Sequence, residues 1–74
     1  METFKICTYG RMELAQYYFP NMVPRSAFRK LMQWIDLYPN LKEQLTALGY
    51  TPHQRTYTPA QVRLIIEALG EPST

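Results

Sequence analysis

A chain of 74 residues with 46% hydrophobic and 14% aromatic side chains is long enough for one small domain and too apolar to be intrinsically disordered. Eight Lys and Arg against six Asp and Glu give a net charge of +2, which permits nucleic-acid binding without demanding it. Cys7 is the only cysteine, so an internal disulfide is excluded and a reducing compartment is expected.

Nothing in the sequence indicates a membrane-spanning segment or a signal peptide. No apolar run approaches the roughly 18 residues of a membrane-spanning helix. Residues 1–5 lack the apolar core of a signal peptide. We therefore expect a cytoplasmic protein without a membrane partner.

The first third of the chain predicts a short strand and a helix. Phe4 to Thr8 alternates apolar and polar residues as a strand does, and Tyr9 with Gly10 would end it. Arg11 to Phe19 has the apolar spacing of a first helix. Pro20 stops this helix, because the residue before a proline avoids the helical region.

A second helix begins at Pro24, where the missing N–H costs nothing. The side chains of its inward stripe are Phe28, Leu31, Met32 and Ile35. Tyr38 and Pro39 end it. A third, shorter helix follows, for which Asn40 is the predicted cap, with Glu43 as its partner in a capping box, and Gly49 is the stop.

The fourth helix carries the clearest signals. Thr58 is a capping residue, Pro59 suits the first helical position, and Gln61 completes a capping box. An apolar stripe then runs to the stop at Gly70. The pattern Thr-Pro-x-Gln also occurs at residues 51–54, but no helical periodicity follows there, so this copy is predicted to be loop.

These elements predict a mainly α fold, in which residues 1–74 form one compact four-helix domain of the winged helix-turn-helix type. The sequence also permits a short two-stranded β ribbon that joins residues 4–7 to the β-prone residues 55–57. The polar loop before Thr58 would then be the wing.

The sequence contains few residues that could support catalysis. Cys7 and His53 are the only thiol and imidazole, and no neighbouring residue is predicted to orient the ring. Two soft ligands are too few for a zinc site, and the isolated glycines form no phosphate loop. We expect no enzyme, no cofactor, no metal and no catalytic residue; a nucleophilic enzyme acting through Cys7 would reveal itself by rapid thiol labelling.

The second helix offers the better candidate site. The polar and basic side chains opposite its apolar stripe are Arg25, Ser26, Arg29, Lys30 and Gln33. Arg and Gln read base edges in the major groove, and Lys neutralises phosphate. We predict that these residues contact double-stranded DNA, while Arg11 and Arg55 hold its backbone. An ordinary solvated helix face has the same pattern.

Two aromatic residues leave a second interpretation open. Tyr17 and Trp34 lie at the margins of their apolar stripes, where they could form a partner surface. The chain would then be a protein-interaction adaptor or a homodimer, with no affinity for DNA.

The matching residues of a family resemblance extend from about residue 4 to residue 72. They are Thr8-Tyr9-Gly10, Glu13-Leu14-Ala15, Tyr18-Phe19-Pro20, Trp34-Ile35, Leu48-Gly49-Tyr50, Thr58-Pro59, Gln61-Val62, Ile65-Ile66 and Leu69-Gly70-Glu71-Pro72. In these the chain resembles a family of short, uncharacterised proteins of Bacteroides-type gut bacteria, classed as a domain of unknown function. More loosely, its layout is similar to winged and excisionase-like helix-turn-helix domains, although Phe19-Pro20-Asn21 replaces their tight glycine-centred turn. The resemblance implies a fold and no activity.

Overall fold

A computed structural model describes residues 4–72 as four helices and two short strands. In chain order the elements are β1 (Tyr9–Gly10), α1 (Arg11–Tyr18), α2 (Pro24–Leu37), α3 (Leu41–Ala47), β2 (Thr56–Tyr57) and α4 (Pro59–Leu69). The prediction of a mainly helical domain with four helices is confirmed, and the short two-stranded ribbon that the sequence permitted is present and antiparallel. None of the helices in residues 4–72 combines the length and the apolar composition needed to cross a bilayer.

One strand of the ribbon, β2, lies within the predicted residues 55–57, but its partner is not the predicted segment. Tyr9 pairs with Tyr57 and Gly10 with Thr56, so the prediction of a strand over residues 4–7 was wrong. That segment turns back on β1 instead: the Tyr9 hydroxyl donates to the Lys5 carbonyl over 2.8 Å, and the rings of Phe4 and Tyr9 stack 5.1 Å apart. The apolar alternation of this segment therefore reflects side-chain packing and not strand pairing.

The hydrophobic core collects side chains from every element. Its buried members are Tyr9, Leu14, Ala15, Ala27, Leu31, Ile35, Leu41, Leu45, Tyr50, Tyr57, Val62 and Ile65. The most extensive packing is between α1 and α2. Each of these helices carries one fully buried alanine, Ala15 and Ala27. Gln16 Nε2 also donates to the carbonyl of Met22 over 2.8 Å, which ties the connector to α1.

The predicted capping box is present at the start of α4 and absent at the start of α3. The capping box of α4 is present, with the Gln61 N–H donating to Thr58 Oγ1 over 3.3 Å and the Thr58 N–H donating to Gln61 Oε1 over 3.2 Å. Asn40 precedes α3 as predicted, but its side chain makes no capping bond. Its φ of 66° places it in the left-handed region, which asparagine tolerates better than most residues. Asn40 is therefore a turn residue, and the predicted capping box of α3 was wrong.

Each of the two Thr-Pro-x-Gln segments contains the same internal hydrogen bond, and the two segments also contact each other. Gln54 Oε1 accepts the Thr51 N–H over 2.8 Å, as Gln61 Oε1 accepts the Thr58 N–H. Gln54 Nε2 donates to Gln61 Oε1 over 2.6 Å, and Gln61 Nε2 donates to the Leu48 carbonyl over 3.1 Å. Residues 51–54 are loop, as predicted. Gln54 binds this loop to the start of α4, and Gln61 binds α4 to the end of α3.

Buried tyrosines determine how stability depends on alkaline pH. Tyr57 is 1% exposed, and burial raises its pKa above the ordinary range. Burial and the Glu71 carboxylate raise the pKa of Tyr18 to about 12. Above a pH of about 10 the unfolded chain loses phenolic protons that the folded chain keeps. The unfolded state then binds fewer protons, so the free energy of unfolding falls as pH rises.

We expect this fall to begin near pH 10 and to reach at most roughly 1.4 kcal/mol per pH unit for Tyr57. The slope for the half-buried Tyr18 is smaller, because water screens its charge. Urea unfolding from about pH 8 to pH 12 measures the dependence. Tyr57→Phe should flatten it, and Tyr38→Phe, which alters a ring that is 43% exposed, should leave it unchanged. An unchanged pH dependence in Tyr57→Phe would contradict the assignment.

Candidate nucleic-acid interface

The outer face of α2 carries all five residues that the sequence places there. Arg25, Ser26, Arg29, Lys30 and Gln33 are exposed, whereas Ala27, Leu31 and Ile35 on the opposite face are buried. This division follows from the helical period, because positions three and four apart share a face. We call these five residues the basic face.

The charges of the basic face do not stabilise the helix that carries them. Arg25 is the second residue of α2, whose first turn contains no acidic residue, and a cation near a helix N-terminus is electrostatically unfavourable. Arg25 and Arg29 are also like charges one turn apart, a pairing that destabilises a helix slightly. Within residues 4–72 the salt bridge that forms joins Lys42 to Asp36 at 3.7 Å, and none involves the basic face. Its positive charge is therefore free to attract an anion.

The backbones of Arg11 and Arg55 are joined by a hydrogen bond, and Arg11 contacts α2. The Arg11 N–H donates to the Arg55 carbonyl over 2.9 Å. The Arg11 guanidinium lies 5.1 Å from the centroid of the Phe28 ring, a cation–π contact that holds it against α2. Arg55 is exposed. Arg11 is thus a half-buried, positioned cation at one edge of the basic face.

An aromatic pair lies at the opposite edge of the basic face. The Lys30 ammonium is 5.3 Å from the centroid of the Phe19 ring. That ring meets Trp34 edge to face, with 4.8 Å between centroids and an interplanar angle of 78°. The contacts of Phe19 and Phe28 with cations did not follow from the sequence pattern. The only sequence feature that could have indicated the pair of Lys30 and Trp34 around one aromatic ring was their one-turn spacing in α2.

The two aromatic residues proposed as one partner surface belong to separate clusters. Tyr17 meets Phe4 and Tyr9 edge to face, with ring centroids 5.2 and 5.6 Å apart. Trp34 packs on Phe19 instead. Beyond Trp34, which is 38% exposed, the end of α2 also presents Leu37 at 80% and the following Tyr38 at 43% exposure. The apolar surface at this end of α2 is therefore independent of Tyr17.

The other candidate chemistry is dispersed in the described part of the chain. Cys7 is half-buried beside β1, and His53 is exposed in the turn between α3 and β2. Residues 4–72 contain no group of three His, Cys, Asp or Glu side chains that could hold a metal ion. A cleft of about 300 Å³ is lined by Ile6, Pro59, Ala60 and Arg63, which lie outside the predicted contact set.

Comparison with known proteins adds a family without an assigned activity. Residues 5–72 match the family model described as Domain of unknown function (DUF4248). Neither the curated proteins nor the solved structures gave a match. The match covers nearly the whole chain, including every helix and strand above. The chain therefore belongs to the DUF4248 family.

Proposed function

We propose that the protein is a non-enzymatic, cytoplasmic DNA-binding module of the winged helix-turn-helix type, with α2 as the helix that enters the major groove. The observation that carries the proposal is the basic face of α2, whose three cations have no acidic partner in the described residues. Such a cluster costs helix stability, which a bound polyanion would restore.

The position of each side chain suggests its role. Arg25, Arg29 and Gln33 follow one another at one-turn spacings along the basic face, so their donors could reach successive base edges. Ser26 and Lys30 lie towards one edge of it and would bind phosphate. Arg11, held on Phe28 at the other edge, and the exposed Arg55 would contact the DNA backbone.

The arrangement of α1 and α2 is compatible with this type of module. The two helices pack extensively on each other, each carries a fully buried alanine, Ala15 and Ala27, and the connector of residues 19–23 is tied to α1 by Gln16. The connector is longer than a tight helix-turn-helix turn. The ribbon joins the segment before α1 to the segment before α4, so it is not a hairpin, and the wing would be the loop of residues 50–55.

Removing one central arginine tests the proposal. We expect Arg29→Ala to weaken binding to a duplex selected from a random pool by about 1–3 kcal/mol, as for the loss of a base contact. Fluorescence anisotropy, titrated from low to near-physiological salt, measures the affinity and its salt dependence. Arg63→Ala is the matched control, because Arg63 is an exposed arginine on α4.

Two results would contradict the proposal at different levels. A folded Arg29→Ala variant with wild-type affinity would remove Arg29 from the contact set. Absence of binding by the wild-type protein even at low salt would end the DNA hypothesis, because the phosphate contribution is strongest there.

One observation favours a second candidate function. The exposed Trp34, Leu37 and Tyr38 at the end of α2 suit a protein-interaction adaptor or a homodimer. Such association would depend little on salt, since it buries apolar surface, and would occur without DNA. Sedimentation at two salt concentrations separates this behaviour from that of the DNA-binding module.

A further inference from the structure

Trp34 combines exposure with a defined orientation. Its side chain is 38% exposed, although tryptophan is highly buried on average in folded proteins. The Phe19 ring contacts it edge to face at 4.8 Å, an arrangement that favours one orientation of both rings. An exposed ring that is held in place loses little conformational freedom on binding, so it is a suitable contact surface.

The immediate neighbourhood of Trp34 is cationic. Lys30 precedes it by one helical turn, and the Lys30 ammonium lies 5.3 Å from the centroid of the same Phe19 ring that Trp34 contacts. Gln33 and Arg29, both exposed, continue the surface into the basic face. An aromatic ring beside cations is the combination by which proteins bind single-stranded nucleic acid, since the ring stacks on a base and the cation neutralises phosphate.

An uninterrupted duplex offers no partner for such a ring. Its base faces are covered by their neighbours in the stack, whereas an unpaired base exposes a face that an aromatic side chain can cover. We infer that Trp34 is a stacking surface for an unpaired nucleotide base, and that the basic face binds DNA with a single-stranded segment beside the duplex more tightly than uninterrupted duplex. This inference rests on the proposed function, because it assigns the form of DNA that the same face prefers.

The single tryptophan of the chain makes the inference directly measurable, since all tryptophan emission comes from Trp34. Three probes are compared by anisotropy and by tryptophan fluorescence: a blunt duplex, the same duplex with a thymine tail of about ten nucleotides, and the tail alone. We expect the tailed duplex to quench Trp34 emission and to bind roughly tenfold more tightly than the blunt duplex, within the range measured for one stacked base.

Variants identify the ring as the cause. Trp34→Leu should bring the ratio of tailed to blunt affinity close to one, and Trp34→Phe, which keeps an aromatic ring, should retain part of the preference. Tyr17→Leu is the control, because it removes an aromatic ring that is 42% exposed in a different cluster and should leave the ratio unchanged. Circular dichroism establishes that each variant is folded.

The outcomes separate the inference from the proposed function. Equal affinity for blunt and tailed duplex without quenching would overturn the inference and leave duplex binding intact. A tail preference that survives in folded Trp34→Leu would also overturn it, since the preference would then come from phosphate contacts alone. Failure of all three probes to bind would overturn both.

Discussion

Leu31→Ala should lower the free energy of unfolding by about 2–5 kcal/mol, the range measured for leucine truncation in protein cores. Leu31 is fully buried at the centre of the α2 stripe, between Ala27 and Ile35. Truncation removes apolar contacts and leaves a cavity that surrounding helices fill only in part. A domain of this size has a total stability of roughly 4–11 kcal/mol, so the variant would lose much of its folded population on mild heating.

The same helix supplies the control. Leu37 is 80% exposed, so Leu37→Ala should change stability by no more than about 0.5 kcal/mol. Urea unfolding followed by circular dichroism measures both variants, with a lower midpoint and an unchanged slope expected for Leu31→Ala. Equal midpoints for the two variants would show that α2 does not present its Leu31 face to the core.

Gln61→Leu should lower the free energy of unfolding by about 2–3 kcal/mol, although it replaces a polar side chain by an apolar one of similar size. Gln61 is 1% exposed, and its amide serves three partners: Thr58, Gln54 and Leu48. Leucine can bond to none of them. Groups that lose a hydrogen-bond partner in a buried position cost about 1–3 kcal/mol. The bond from the Thr58 N–H is one half of the capping box of α4; the other half, from the Gln61 backbone N–H to Thr58 Oγ1, remains.

The design of this experiment uses two further glutamines. Gln44→Leu is the matched control, because Gln44 is exposed on α3 and its side chain has no hydrogen bond among the described residues. Gln54→Leu removes the other half of the glutamine pair. The double variant should be less destabilised than the sum of the single ones, by about 0.5 kcal/mol or more. Additive effects would mean that the Gln54–Gln61 bond contributes nothing of its own.

Local signals in the sequence were sufficient for the helices and for the orientation of the candidate site. Pro24 and the spacing of apolar residues placed α2, and the same period turned Arg25, Arg29 and Gln33 to solvent. Thr58 and Gln61 placed the start of α4. These features depend on residues within one or two helical turns of each other, so periodicity and capping chemistry determine them.

Features that depend on distant residues were decided by the tertiary structure. The partner of β2 proved to be Tyr9–Gly10 and not residues 4–7, because Lys5 and Phe4 fold back onto Tyr9. Asn40 became a left-handed turn residue and not a side-chain cap. Both outcomes depend on the path the chain takes between packed elements, which local propensity does not encode.

The sequence by itself therefore determined the four helices and the outward direction of the basic face. In α2 it predicted Leu31 and Ile35 as core residues correctly, whereas Phe28 and Met32 are half-buried and Ala27 is fully buried. The tertiary structure decided which side chains support that face. It placed Arg11 on Phe28 and Lys30 on Phe19, and it buried Gln61 against Gln54 and the end of α3. Helical periodicity acts over a few residues, whereas these contacts join elements that only the packing of the core brings together.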